Sequence, residues 1–438
     1  MAKPSLIAAI DVGSSKIATL IAQVNQEENK IHIVGASSSD SKGIRKGQIV
    51  NIEEAAQSII NSVEGAERMA GYNLAKSYVS IGGSHIASQN STGVVAVAQP
   101  QGEITQQDVS RVVEAARAVS LPEAREIVHV IPREFSVDSQ KGIKDPIGMT
   151  GVRLEVETHI ITGSSTAIKN LAKCVGEVGC DIESIVFSGL AASYAVLSET
   201  ERELGVILID IGAGTTDIAI FVEGSLAYSS VLPIGAKNVT NDLAIGLRVS
   251  LESAEKIKIF LGQESKKPAL PEKMEQGREK EEEKEKKDEL DLGKLNLPED
   301  LRVASKKTLI DGIIKPRLNE IFQLVAQEIK KSGFAGLAPS GLVITGGGAL
   351  TVGAVEAGKR ILAMPVRVGM PSGVTGLIDD IETPAFASSL GLILYGARKD
   401  FVDEDHNLGG KGFGKALDKL PGKGIAGKLT GFIKSLLP

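Results

Sequence analysis

Two aspartates, each closing an apolar run and opening a turn of glycine and hydroxyl residues, are the residues of this chain best suited to chemistry. The first stands in Ala8-Ala9-Ile10-Asp11-Val12-Gly13-Ser14-Ser15-Lys16, the second in Leu208-Ile209-Asp210-Ile211-Gly212-Ala213-Gly214-Thr215-Thr216-Asp217. Turns of this composition expose backbone N–H groups to phosphate oxygens, and glycine lets a ligand come close. Gly13, Ser14, Ser15 and Lys16 fit one side of a triphosphate; Gly212, Gly214, Thr215 and Thr216 fit the other. Asp11 and Asp210 sit at strand ends, where carboxylates hold Mg2+ largely through its waters. A single such turn reads equally well as a plain β-hairpin. The repetition is what points to a polyphosphate gripped between the halves of a duplicated α/β fold.

Two further features suit a nucleoside. Leu342-Val343-Ile344-Thr345-Gly346-Gly347-Gly348-Ala349-Leu350 is a strand running into a glycine turn, against which a base and ribose can lie. Gly346, Gly347, Gly348 and Ala349 are its candidate contacts. Glu255 and Lys258 stand three apart on one helix face. They are placed either to reach the ribose and adenine edges or to form a surface salt bridge.

These residues need elements to position them. Strands are expected at 6–12, 16–24 and 31–36, then a helix over 53–71 with Ala55, Ala56, Ile59, Ile60 and Val63 at helical spacing. Val79-Ser80-Ile81 reads as a strand ending in Gly82-Gly83. A helix over 105–119 opens with Thr105 and Asp108, a capping-box pair. Another helix is expected near 164–178, and the strand–turn–strand pattern restarts at Val206. Helical stretches follow over 236–262, 308–331, near 350–362 and over 383–398, with a strand at 341–345. Between 263 and 300 the composition breaks. Glu272 to Asp291 is almost all Lys and Glu and lacks an apolar core, so it reads as a solvated charged helix or a disordered loop, with Pro268, Pro271 and Gly277 weighing towards disorder. Either way it is a tolerated surface insertion.

Composition narrows the function. The 438 residues, 42% hydrophobic, suffice for two domains. A formal charge of −6 and the absence of Trp argue against nucleic-acid binding. Cys174 and Cys180 have no Cys/His set around them, so neither a disulfide framework nor a zinc site is expected. His85, His129 and His159 lack ligand spacing and read as satisfied surface or core histidines. The N-terminal apolar run is too short for a signal peptide, and no run reaches the ~18–20 residues of a spanning helix. The body therefore reads as cytoplasmic.

Five segments, in this order, resemble the actin/hexokinase/DnaK ATPase superfamily: 8–17 (phosphate-1), 184–197 (connect-1), 207–220 (phosphate-2), 342–356 (adenosine) and 383–397 (connect-2). Within it the chain resembles the FtsA family of bacterial cell-division proteins. Val79-Ser80-Ile81-Gly82-Gly83-Ser84-His85-Ile86, His129-Val130-Ile131-Pro132-Arg133-Glu134-Phe135, the stretch 142–154, Ser188-Gly189-Leu190-Ala191-Ala192-Ser193-Tyr194 and Glu201-Arg202-Glu203-Leu204-Gly205-Val206 carry that likeness. The resemblance implies a duplicated actin-like (ribonuclease-H-like) fold, two lobes around a nucleotide cleft, ATP and Mg2+ as cofactors, and an FtsA-type 1C subdomain. It divides the chain into 1A (1–83, 163–197 and 378–397), 1C (84–162), 2A (198–237 and 332–377) and 2B (238–331, with the insertion 263–300). Many members carry a water-orienting carboxylate in connect-1. Here Val186-Phe187-Ser188-Gly189-Leu190 has none, which implies slow hydrolysis at most. Asp217 is left as a substitute catalytic carboxylate or as a structural hydrogen-bonding residue. The resemblance further implies filaments of the chain itself, a grip on the C-terminal peptide of FtsZ, and recruitment of later division proteins through 1C. Lys315, Arg317 and Asn319 are the candidates for the peptide, or else plain exposed helix charges.

The C-terminus is separate in character. Residues 398–424 are Gly- and Lys-rich and read as a tether with a reach of roughly 25–30 Å. Over 425–438, Ile425, Leu429, Phe432, Ile433, Leu436 and Leu437 fall on one helical arc, with Lys428 and Lys434 on the other. An apolar face, a basic face and no spanning length describe an interfacial helix on anionic lipid. The alternative is a helix docked on the protein's own core, against which the glycine-rich tether argues. The combined expectation is an ATP-binding division protein on the cytoplasmic membrane face at the division site. A PilM-like pilus adaptor is the alternative, followed by a small-molecule kinase of the same superfamily and by an MreB-like filament.

Overall fold

A computed structural model describes residues 5–25, 30–98, 102–264, 288–299, 301–377 and 380–407. The chain divides into two units, 1–396 and 397–438, and the first carries the site.

The first half opens with β1 (Ser5–Val12), β2 (Lys16–Asn25) and β3 (Lys30–Asp40), then a small hairpin of β4 (Ile44–Arg45) and β5 (Gln48–Ile49). Helix α1 (Ile52–Ala70) starts where Asn51 Oδ1 accepts the N–H groups of Glu53 and Glu54, and stops at Gly71 in the left-handed region. Its buried face, Ala55, Ala56, Ile59, Val63 and Ala66, packs on β2 and β3. After β6 (Lys76–Ile81) come β7 (Ala87–Ala96), α2 (Gln106–Arg117), β8 (Arg125–Val137), β9 (Gln140–Ile143) and β10 (Arg153–Ser164). The four strands form their own sheet, ordered β7-β10-β8-β9, with α2 packed across it around Val112, Ala116, Leu154 and Val156. The capping box is present: Thr105 Oγ1 accepts the N–H of Asp108, and Asp108 returns a bond to the N–H of Thr105. Helix α3 (Ser165–Gly176) and β11 (Asp181–Phe187) return to the first sheet.

Helices α4 (Ser188–Val196) and α5 (Glu199–Leu204) lead into β12 (Val206–Ile211), β13 (Thr216–Val222) and β14 (Ser225–Leu232). Then follow α6 (Lys237–Leu247) and α7 (Leu251–Glu264), β15 (Glu289–Asp291) and β16 (Val303–Ser305). Helix α8 (Lys315–Ser332), β17 (Leu342–Thr345), α9 (Ala354–Leu362), β18 (Val366–Val368), β19 (Thr375–Gly376) and α10 (Ala387–Asn407) complete the chain.

The duplication is explicit in the sheets. The first runs β11-β6-β1-β2-β3, with β19 added at the β3 edge; the second runs β18-β17-β12-β13-β14. In each, an antiparallel three-strand meander is followed by two parallel neighbours. Asp11 and Asp210 therefore occupy matching strand ends. Strand β14 would leave an open edge. Side chains of the inserted sheet cover part of it: Ser88 Oγ donates to the Ser229 carbonyl at 2.7 Å, and Asn90 Nδ2 to that of Ala227 at 3.3 Å. His159 lies between them, 2.7 Å from Asn90 Oδ1 and 2.9 Å from Ser229 Oγ.

Several expectations are corrected. The stretch 236–262 is two helices, because Arg248 takes a left-handed φ of 56°. The last residues of the charged insertion are ordered. Leu290 of β15 and Leu292 just after it are buried in the second-half core, and β15 pairs with β16. Glu299 accepts the N–H of Ser250 and the hydroxyl of Ser253, tying that segment to the start of α7. Residues 265–287 lie outside the described residues. Helix α10 runs to Asn407, ten residues into the stretch read as a tether from 398. The rest of that tether and the amphipathic stretch 425–438 lie outside the described residues. Among the described residues no helix is long and apolar enough to cross a membrane.

Candidate functional site

The two β-hairpin turns face each other across a cavity of about 700 Å³. Asp11, Gly13, Ser14, Ser15 and Lys16 line it from the first half, and Asp210, Gly212, Thr215 and Asp217 from the second. Glu255 and Lys258 come from α7, and Gly346, Gly347 and Gly348 from the turn after β17. Three of the sequence candidates stand outside it. Thr216 is fully buried and its hydroxyl donates to the Ile234 carbonyl at 2.8 Å, so it supports the turn instead. Gly214 packs against Ser14 and the tip of the β4–β5 hairpin. Ala349 faces a neighbouring cavity, and its N–H caps the glycine turn by bonding Gly346.

The charged groups are held from outside the turns. Asp11 accepts from Ser80 Oγ at 2.7 Å and from Ser389 Oγ at 3.1 Å. Asp210 accepts from Ser388 Oγ at 2.9 Å. Lys16 Nζ lies 3.0 Å from the centre of the Phe386 ring, and burial lowers its pKa to about 8 against the pull of Asp11 and Asp210. Burial, then the charge of Asp11, raises Asp210 above the usual carboxylate range. Asp217, opposite Asp210 on the partner strand, is raised well above it by burial and by Asp210 and Asp11. Its Oδ1 is buried without a hydrogen-bond partner. Gly346 is required beside Asp210: a Cβ there would stand 2.1 Å from Asp210 Oδ1.

Buried carboxylates with raised pKa values, one with an orphaned oxygen, suit a hard divalent cation. Among the described residues no three His, Cys, Asp or Glu converge tightly enough to hold an ion alone. A bound ion would therefore take ligands from phosphate and water as well, as Mg2+ does. On the nucleoside side, Lys258 is nine-tenths buried and bonds Glu255 at 2.7 Å and Thr240 at 3.0 Å. This triad makes the pair part of the cavity wall. Leu251 and Ile259 add apolar surface on the same side.

Sequence reasoning missed Ser80, Ser188, Lys237, Thr240, Phe386, Ser388 and Ser389, and also the β4–β5 hairpin. At its tip Gly47 donates its N–H to Ser14 Oγ at 2.9 Å. Single hydroxyls in strands and helices carry no local signature. Only the pair Ser388-Ser389, just after Pro384 at a helix start, could have drawn notice.

The peptide candidates are already engaged. Lys315 pairs with Asp311, Arg317 with Asp242 and Glu320, and Asn319 accepts from Arg360. Of the histidines read as satisfied, His129 and His159 are hydrogen-bonded, whereas His85 departs from that reading: its Nε2 is buried without a hydrogen-bond partner. His129 Nε2 accepts the N–H of Phe187 at 3.0 Å, and His159 is bonded as above.

Two family profiles match the chain. One, described as the SHS2 domain inserted in FTSA, covers residues 83–162; the other, described as cell division protein FtsA, covers 207–391. The chain is 42% identical over 391 residues to a cell division protein FtsA of Borreliella burgdorferi, covering 89% of this chain and 91% of the relative. With the Pseudomonas aeruginosa protein of that name the identity is 36% over 426 residues, 95% of both chains. With that of Escherichia coli K12 it is 33% over 409 residues, 89% of this chain and 90% of the relative. Among solved structures, the PilM-PilN type IV pilus biogenesis complex superposes with a TM-score of 0.61 at 16% identity, covering 91% of this chain and 99% of the other. The ethanolamine utilization protein EutJ of Carboxydothermus hydrogenoformans gives a TM-score of 0.50 at 16% identity, covering 90% and 91%. The fold is the duplicated, actin-like one that the paired hairpins foretell.

Proposed function

The chain belongs to the FtsA family of cell-division proteins, and from that premise we propose that it is an ATP-binding adaptor that polymerises on the cytoplasmic membrane face. Its filaments tie FtsZ to the membrane at the division site, and residues 84–162 recruit later division proteins. The observation that carries this reading is the meeting of the two phosphate-type turns, with Asp11, Asp210 and Lys16, in one cavity.

In this reading, the N–H groups of 14–15 and 213–215 and the Lys16 ammonium take the phosphate oxygens, while those of Gly13 and Gly212 close the turns by donating to the Lys16 and Thr215 carbonyls. Glu255 and Lys258 take the ribose and base side, against the glycine turn at 346–348. Asp11 and Asp210 hold Mg2+, which when bound supplies charge neutralisation of the phosphates. The cavity wall contributed by connect-1 is Ser188, a hydroxyl and not a carboxylate. Slow turnover follows in this reading from the missing connect-1 carboxylate, with Asp217, buried and raised in pKa by that burial, as the substitute. Nucleotide then acts as a latch between the lobes more than as fuel.

The membrane contact is assigned to Ile425, Leu429, Phe432, Ile433, Leu436 and Leu437, with Lys428 and Lys434 on anionic lipid. The FtsZ peptide is assigned to the surface around Lys315, Arg317 and Asn319. Because Arg317 is spent on Asp242 and Glu320, an acidic peptide would have to displace those carboxylates, which favours a weak, exchangeable contact.

Titration of the full chain with a fluorescent ATP analogue and Mg2+ tests the reading. Saturable binding is expected, weakened roughly tenfold or more in Asp11→Asn and Asp210→Asn. No saturable binding to the wild-type chain would contradict it.

A further inference from the structure

The first turn of α10 and the residue just before it touch three charged groups of the cleft with three nearly consecutive residues. Phe386 lies under Lys16 Nζ at 3.0 Å. Ser388 donates to Asp210 at 2.9 Å, and Ser389 donates to Asp11 at 3.1 Å. Both serines are buried, Ser388 at 8% exposure and Ser389 at 0%. Adjacent helix positions point about 100° apart, so one helix start serves the carboxylates of two different sheets. The turn before it is fixed to the second half by the N–H of Gly346, which donates to the Pro384 carbonyl at 3.1 Å. Ser80 holds the other oxygen of Asp11, and its own Oγ receives the N–H of Val12.

We propose that Ser388 and Ser389 are positioning residues of the cation site: each hydroxyl orients the carboxylate of one lobe, and together they fix the spacing of Asp11 and Asp210. The proposal rests on the nucleotide reading above. Neither serine needs to touch nucleotide; both act through the aspartates. A carboxylate held by a buried hydroxyl presents its remaining lone pairs in one direction, and one helix start supplies such a hydroxyl to both carboxylates, Asp11 having a second from Ser80. Loss of the Ser388 hydroxyl leaves Asp210 in place but free to turn, and loss of the Ser389 hydroxyl leaves Asp11 held on one oxygen alone, by Ser80. The cost then falls on cation-assisted binding more than on nucleotide binding as such.

The test uses the full chain and a fluorescent ATP analogue, with affinity measured in excess Mg2+ and again in excess EDTA. The quantity read is the ratio of the two affinities. In Ser388→Ala and Ser389→Ala this Mg2+ gain is expected to fall roughly tenfold, with a much smaller change in EDTA. Ser388→Thr keeps the hydroxyl and should recover most of the gain. Melting temperatures of all variants are measured alongside, because a merely structural serine would lower them without moving the ratio. A Mg2+ gain within about twofold of wild type in both alanine variants would overturn the proposal, as would equal losses with and without Mg2+. Failure of the wild-type chain to bind the analogue at all would sink the nucleotide reading, and this inference with it.

Discussion

At the scale of single residues, the polar groups fall into those that hold the cleft and those that hold the subdomains together. His129 and His159 belong to the second kind. Burial lowers His129 to a pKa of about 4, and burial with the Arg133 charge lowers His159 to about 3. Both stay neutral in the folded chain well below the pH at which an unfolded histidine takes up a proton. Stability is therefore complete above about pH 6.5 and falls as the pH drops towards 4 and 3. Between pH 7.5 and 5.5 the two together should cost about 3 kcal/mol. Urea denaturation at the two pH values reads this, and His159→Gln should flatten the dependence. An unchanged slope in that variant would show that the seam of His159, Asn90 and Ser229 does not carry the effect. At Arg317 the ion pair with Asp242 predicts a different result. Arg317→Ala should destabilise the fold as well as weaken FtsZ binding, whereas Lys315→Ala, paired with the partly exposed Asp311 four residues before it, should be close to neutral for stability. Paired melting and peptide-binding measurements separate the two.

At the scale of elements, the helices that connect the lobes meet more tightly than their sequences announce. A Cβ on Gly391 of α10 would stand 1.8 Å from the carbonyl oxygen of Ala191 in α4. Gly391→Val should thus cost about 3 kcal/mol or more and disturb the cleft beside it, read as a lower melting temperature and weakened ATP binding. Removing a cap is milder: Thr105→Ala should cost about 1 kcal/mol and leave ATP binding untouched, since α2 lies in the inserted sheet away from the cleft. What was legible in the sequence follows the range of the interaction. The hairpins, the Thr105–Asp108 cap and the glycine turn at 346–348 are written within about ten residues, so their patterns survive in one dimension. The break at Arg248 and the burial of Leu290 and Leu292 were hidden, the first because helical periodicity continues across it, the second because two leucines look inert beside a run of Lys and Glu. Ser388 and Ser389 were hidden for a third reason: their partners are 178 and 378 residues away.

At the scale of the whole molecule, two matching sheets clasp one cavity and an inserted sheet covers part of the edge of the second; the proposed function adds a membrane foot at the amphipathic stretch 425–438. One such stretch binds lipid weakly, while many held in a filament bind strongly through avidity. On the proposed function, nucleotide, polymer and membrane are linked: the clasp would set the shape that polymerises, and polymerisation would make the weak foot effective. The most direct measurement is co-sedimentation with liposomes containing anionic lipid, in ATP and Mg2+, comparing the full chain with one ending at Gly410, each with and without FtsZ. The full chain should carry FtsZ into the pellet, more so with ATP than without, and the shortened chain should leave it in the supernatant. If the shortened chain brings FtsZ to the liposomes as well as the full one does, the account of this protein as a membrane-anchored adaptor is wrong.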